Sequence, residues 1–220
     1  MQNINVAQLQ KALLHVCDKI IDAEPMLTEL DTIIGDGDHG FGMRIGFSAM
    51  KKELSKCDYM QEKRTPYDLF KDAGMALIRV MGGTSGVIFG TLFIGGLSAL
   101  EKKEVLSLSD LAEYFAISTS KIQQRGKVER GDKTMYDALI EACESLKTSS
   151  QEGKTIEDAF MEAQLAAKEG VEKSKNMISR KGRSKNFRDK TYGHADSGAV
   201  STSLIFEALS EAFSSETVTK

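Results

Sequence analysis

Four glycine-rich polar segments punctuate this 220-residue chain, and their spacing restricts the fold more than any other feature. They are GDGDHGFG at 35–42, GGTSG at 82–86, GDKTM at 131–135 and GHADSG at 193–198. Each opens a stretch whose apolar residues recur at helical period, and two such stretches separate each segment from the next. In an up-and-down bundle with short connections, every second connection lies at the same end. All four segments are therefore expected to converge at one end of an all-α bundle.

The apolar spacing predicts eight helices. Val6, Leu9, Leu13, Val16, Cys17, Ile20 and Ile21 mark one face of the first, and a second runs from Phe41 through Phe47 to Leu54. Pro66 starts a third, which buries Leu69, Phe70, Ala73 and Leu77. The fourth, over 85–100, is apolar almost all round and carries glycines that let neighbours approach closely, so it belongs in the centre. Ser107 with Asp110 forms a capping box before the fifth, Met135 opens the sixth, and Thr155 with Asp158 caps the seventh. Val200, Leu204, Ile205 and Phe213 make the eighth, followed by a short tail. Only two prolines interrupt the chain, and its length suits a single domain over 1–220.

With 29 basic and 32 acidic residues, the chain offers no electrostatic case for binding nucleic acid or a membrane. Cys17, Cys57 and Cys143 have no metal-ligand spacing and read as reduced packing residues. Met1 leads into polar residues without a secretory pattern, and no apolar run reads as a membrane span. A cytoplasmic location is the expectation.

The chemistry concentrates in Asp31, Asp36 and Asp38, three carboxylates within eight residues. Carboxylates held this close repel one another and lose hydration, and a divalent cation with oxygen ligands relieves both penalties. Gly35, Gly37 and Gly40 let the backbone turn so that Asp36 and Asp38 converge, with Asp31 coming from the preceding turn. The run lacks the longer ligand series and closing Glu of a helix-loop-helix calcium site, so magnesium fits best. A solvated Asp-Gly turn is the alternative.

The other segments have double readings. Thr84 and Ser85 within GGTSG either cradle phosphate with neighbouring amides or simply start a helix. GDKTM is a turn with Thr134 as helix cap, or places Met135 against a base. Arg183 and Asp196 are candidates for the phosphates and sugar of a nucleotide, although the basic run around Arg183 also reads as a solvated loop. Helix starts with exposed N–H groups beside aspartates together describe a magnesium-phosphate pocket.

Leu30-Asp31 with IGDGDHG at 34–40, GGTSG, GDKTM, KGR at 181–183 and GHADSGA at 193–199 resemble, in order, the motifs of the DhaL family, the nucleotide-binding subunit of dihydroxyacetone kinase. The resemblance implies an eight-helix antiparallel up-and-down barrel with a nucleotide and two magnesium ions at one end. It implies a kinase subunit in which ADP/ATP stays bound as a coenzyme. A phosphotransferase-system phosphocarrier subunit (DhaM-like) recharges it, and the γ-phosphate passes to dihydroxyacetone held on a substrate-binding subunit (DhaK-like). By motif position, Asp31, Asp36 and Asp38 hold the metal ions. His39, Gly40, Phe41, Gly42, Thr84, Ser85, Gly126, Met135, Arg183, Asp196, Ser197 and Gly198 hold the nucleotide. No catalytic base is assigned within the chain, and a homodimer is compatible with the resemblance.

The chain departs from the family twice: Gly42 stands where Asn is usual, and Ser197 where Pro is usual. The first removes a side chain able to contact phosphate or metal, and the second loosens a turn that proline fixes. Alternative functions are an ATP-dependent kinase subunit for a related ketose or triose, and a non-catalytic nucleotide-sensing module.

Overall fold

The computed structural model describes residues 1–215; the tail expected beyond the last helix lies outside them. Among the described residues nine α-helices form: α1 (Val6–Asp22), α2 (Glu24–Ile34), α3 (His39–Leu54), α4 (Pro66–Val80), α5 (Gly83–Ile94), α6 (Leu108–Gly126), α7 (Met135–Gln151), α8 (Ile156–Lys175) and α9 (Ser197–Ser215). Eight of them close a ring. Starting from α1, each of α3 to α9 packs on its predecessor, and α9 returns to α1. The all-α barrel expected from the sequence is thus present.

The helix starts form where the sequence supplies caps. Ser107 accepts the Asp110 N–H while Asp110 reaches back to the Ser107 N–H, and Thr134 with Asp137 does the same for α7. Thr155 accepts the Asp158 N–H at the start of α8. Aromatic rings fill the barrel: Phe160 meets Phe213 edge-on at 4.8 Å and Phe115 at 6.1 Å, and Phe70 lies 4.3 Å from Tyr114. Cys17 and Cys143 are buried in this core, and burial pushes the Cys143 thiol up to about 12, so both act as apolar packing groups.

Two elements differ from the sequence expectation. The helix α2 was not anticipated, because only Leu27 and Ile34 of its eleven residues are buried and the apolar period is correspondingly weak. It lies outside the ring against α3 and α9, and Asp31 belongs to its last turn rather than to a loop.

The predicted fourth helix over 85–100 ends at Ile94, and Leu97–Leu100 form a separate 3₁₀ turn. A side chain at Gly95 would overlap the Ser118 backbone, and one at Gly96 the Tyr114 carbonyl, because α6 crosses there. Tyr114 Oη donates to the Leu92 and Phe93 carbonyls at 3.1 and 2.7 Å, and Lys121 Nζ donates to the Gly95 carbonyl at 2.6 Å, which satisfies the broken helix end. By composition Gly83–Leu100 is apolar enough to cross a membrane, contrary to the sequence reading. In the fold this stretch is broken in two, and more than half of it is buried against neighbouring helices. A short antiparallel pair, β1 (Asn3–Asn5) with β2 (Val105–Ser107), ties the chain start to α6.

Candidate functional site

The starts of α3, α5, α7 and α9 meet at one end of the barrel and line a single cleft of about 910 Å³. These four start there because α2 lies outside the ring and leaves the alternation of the other eight intact; α1 starts at the opposite end, beside the start of α8. The four glycine-polar segments converge as the spacing required.

At one side of the cleft, Asp31, Asp36 and Asp38 each offer an oxygen within 4.8 Å of the others, close enough to share a divalent cation. Asp31 is held from both sides of the loop: its Oδ2 accepts the N–H of Gly37 at 2.9 Å and of His39 at 3.3 Å. Gly37, at φ +76°, supplies the left-handed turn that folds these amides back onto it. A cation already answers the cluster, since the Arg183 guanidinium donates to Asp38 Oδ2 at 2.5 Å and ion-pairs with Asp36. Asp36 and Asp38 remain exposed, so their role is not in the core.

His39 is half-buried beside the Phe89 ring, and burial lowers its imidazole below the ordinary value. Its Nε2 lies 2.8 Å from Ser201 Oγ, which itself donates to the Ser197 carbonyl at 3.1 Å; the network therefore assigns the proton to Nε2.

Across the cleft, Gly82 starts α5 with no side-chain cap, and Gly83 takes φ +68°. Thr84 and Ser85 follow, exposed to the cleft, so the first amides of α5 are left to an external acceptor. Farther along, Gly126 would place a side chain against Val128 and Ile88; without one, a slot opens that Ile122, Met135 and Tyr136 also line. One end of the cleft is thus acidic and the other apolar.

The start of α9 is capped by Asp196, whose Oδ2 accepts the Ala199 N–H at 2.8 Å. Loss of hydration pushes its carboxyl up to about 7. Nearby Lys133 is buried at φ +60°, and its Nζ donates to the carbonyls of Ser174 and His194 at 2.6 and 2.5 Å. Burial lowers its ammonium below the ordinary value, with Asp196 and Asp137 opposing that shift.

Every sequence-predicted site residue lines the cleft except Gly40. Gly40 is buried under α2, where a side chain would overlap Thr28 Oγ1 and the Glu24 carbonyl, so its smallness serves packing. Sequence reasoning missed Lys133 and the apolar wall of Ile88, Ile122, Val128 and Tyr136. Lys133 stands inside a motif already singled out, and an unusual lysine between Asp132 and the Thr134 cap was the available signal. The apolar wall had none, because Ile88, Ile122 and Tyr136 look like ordinary core positions of α5, α6 and α7, and Val128 like an apolar residue of the loop after α6.

The helical fold that carries this cleft is similar to that of dihydroxyacetone kinases of known structure. The chain is similar to the crystal structure of the C. freundii dihydroxyacetone kinase in complex with AMP-PNP and Mg2+, with TM-score 0.69 and 26% identity, covering 96% of this chain and 35% of that one. The DAK2 domain family matches residues 33–211, and the chain belongs to that family. It is 35% identical to the ADP-binding subunit DhaL of the PEP-dependent dihydroxyacetone kinase of Escherichia coli, over 88% of this chain and 90% of that protein. The PTS-dependent DhaL of Lactococcus lactis is 31% identical over 88% of this chain and 91% of its own length. An L-erythrulose kinase of Pectobacterium atrosepticum is 28% identical over 87% of this chain, which spans 32% of that protein.

Proposed function

We propose that this protein is the nucleotide-binding, phosphoryl-transfer subunit of a phosphotransferase-system-dependent dihydroxyacetone kinase, acting in the cytoplasm. The observation that carries the reading is the cleft itself. It joins a three-carboxylate cluster, an uncapped glycine-rich helix start and an apolar slot, the three things a magnesium nucleotide requires. The similarity to DhaL subunits favours this acceptor over a four-carbon ketose, because the L-erythrulose kinase is more distant.

In this reading Asp31, Asp36 and Asp38 hold two magnesium ions, which neutralise charge on the oxygens of the transferring phosphate when bound. The residues fit that group: their oxygens cluster tightly, and Arg183 shows that the cluster recruits positive charge. His39, Phe41 and Gly42 at the start of α3, and Thr84 and Ser85 at the start of α5, face the phosphates. Helix-start amides there stabilise negative charge without reorganising. Gly126 and Met135 form the slot for the base, and Arg183 with Asp196, Ser197 and Gly198 closes the phosphate and sugar end. The chain supplies position and electrostatics; the acceptor comes on a substrate-binding (DhaK-like) subunit and the phosphoryl group from a phosphocarrier (DhaM-like) subunit.

The test is reconstitution. Purified protein is expected to carry adenine nucleotide and magnesium, and to phosphorylate dihydroxyacetone only with both partner subunits and phosphoenolpyruvate-charged carrier present. Turnover with free ATP and no carrier would instead make the protein an ATP-dependent kinase subunit.

A further inference from the structure

The hydroxyl of Ser197 donates to Asp31 Oδ1 at 3.0 Å. Ser197 is the first residue of α9, and Asp31 lies in the last turn of α2, so this bond joins α9 to the helix that leads into the acidic loop. It closes a ring. The Ser197 carbonyl accepts from Ser201 Oγ, Ser201 Oγ meets His39 Nε2, and the His39 backbone N–H returns to Asp31 Oδ2. Asp31 therefore has donors on both oxygens: two backbone amides on one and a side-chain hydroxyl on the other. The amides alone leave the carboxylate free to rock about its terminal torsion, which is broad for aspartate. The Ser197 hydroxyl, donating to the other oxygen, restrains that rotation while Asp31 stays within reach of a cation shared with Asp36 and Asp38.

We infer that Ser197 is a positioning residue of the metal site, holding the Asp31 carboxylate in its cation-binding orientation. The inference rests on the metal reading proposed above. Proline at the start of a helix restrains φ but carries no donor. Outer hydrogen bonds of this kind typically contribute about 10–100-fold to metal affinity by orienting the ligand.

The experiment titrates Mn2+ into the wild-type protein with saturating ADP, following free Mn2+ by electron paramagnetic resonance, and repeats it with Ser197→Ala, Ser197→Pro and Ser197→Thr. Ser197→Ala and Ser197→Pro are expected to bind Mn2+ about tenfold more weakly, and Ser197→Thr, which keeps the hydroxyl, to bind like wild type. Helical content and the melting temperature without metal are expected to be unchanged in all three, which separates positioning from folding. Ser197→Pro guards against a folding defect in Ser197→Ala, since proline suits a first helical position. Wild-type binding with Ser197→Ala and Ser197→Pro within twofold of it would overturn this inference alone. No Mn2+ binding by the wild type would overturn the metal reading, and the inference with it.

Discussion

Lys133 and His194 lie 61 residues apart, and the ammonium of one donates to the backbone carbonyl of the other at 2.5 Å. A second bond from Lys133 to the Ser174 carbonyl makes the lysine a staple between the loop before α7, the end of α8 and the loop before α9. Two of the four converging segments are thereby held in one geometry. Replacing Lys133 with Met leaves two carbonyls without their charged donor and is expected to destabilise the fold by about 1–3 kcal/mol. It should also weaken ADP binding through the displaced 193–198 segment. Urea unfolding and ADP titration of the variant check both effects.

Asp36→Asn and Asp38→Asn should leave helical content and unliganded stability nearly unchanged, because the pairs they make with Arg183 are exposed and worth about 0–1 kcal/mol. The rise in melting temperature that ADP with magnesium confers on the wild type should be lost in both. Melts with and without the two ligands measure this; a retained shift would show that the carboxylates do not serve the ligand.

Two neighbouring glycines should respond in opposite ways. At Gly42 a side chain meets no other atom within 4 Å and faces the cleft, so Gly42→Asn is expected to fold normally and to slow ADP release. At Gly40 the same added atom overlaps α2, so Gly40→Ala should destabilise the α2–α3 pairing and the acidic loop between them. Release rates of a fluorescent ADP and thermal melts distinguish the outcomes.

Stability should fall as pH rises toward and through 7 on account of Asp196. Its carboxyl ionises near 3.8 when unfolded and at about 7 when folded, so between those values the folded chain holds a proton the unfolded chain has released. Unfolding then becomes easier with each step up in pH until the folded group also ionises. Asp196→Asn keeps the acceptor for the Ala199 N–H and should remove this slope. Comparing denaturant midpoints of the two proteins below and above pH 7 isolates the contribution from that of His39, whose lowered value acts in the opposite direction.

Phe160, buried between Phe115, Phe206 and Phe213, is far from the cleft in role and central to the core. Phe160→Ala is expected to destabilise the barrel by about 3–5 kcal/mol through lost burial and a residual cavity. ADP affinity at temperatures where the variant remains folded should be close to wild type, as calorimetric titration would show.

The residues by themselves determined the helical class, the capping of α6, α7 and α8, and the gathering of four segments at one end. Those follow from local rules: a period of 3.6, hydroxyl-to-amide caps, and the parity of short connections, none of which needs a distant contact. The acidic cluster was legible for the same reason, since Asp36 and Asp38 are neighbours in sequence and Asp31 is one helical turn before Gly35. Tertiary structure decided the rest. Gly95 and Gly96 end α5 only because α6 crosses them, and Gly40 proved to be a packing residue only because α2 lies on it. The bond from Ser197 to Asp31 spans 166 residues, and the Lys133 staple and the apolar slot likewise depend on which helices become neighbours when the ring closes. Side chains with several possible partners take the one that closure brings within about 3 Å, and no local pattern specifies which that is.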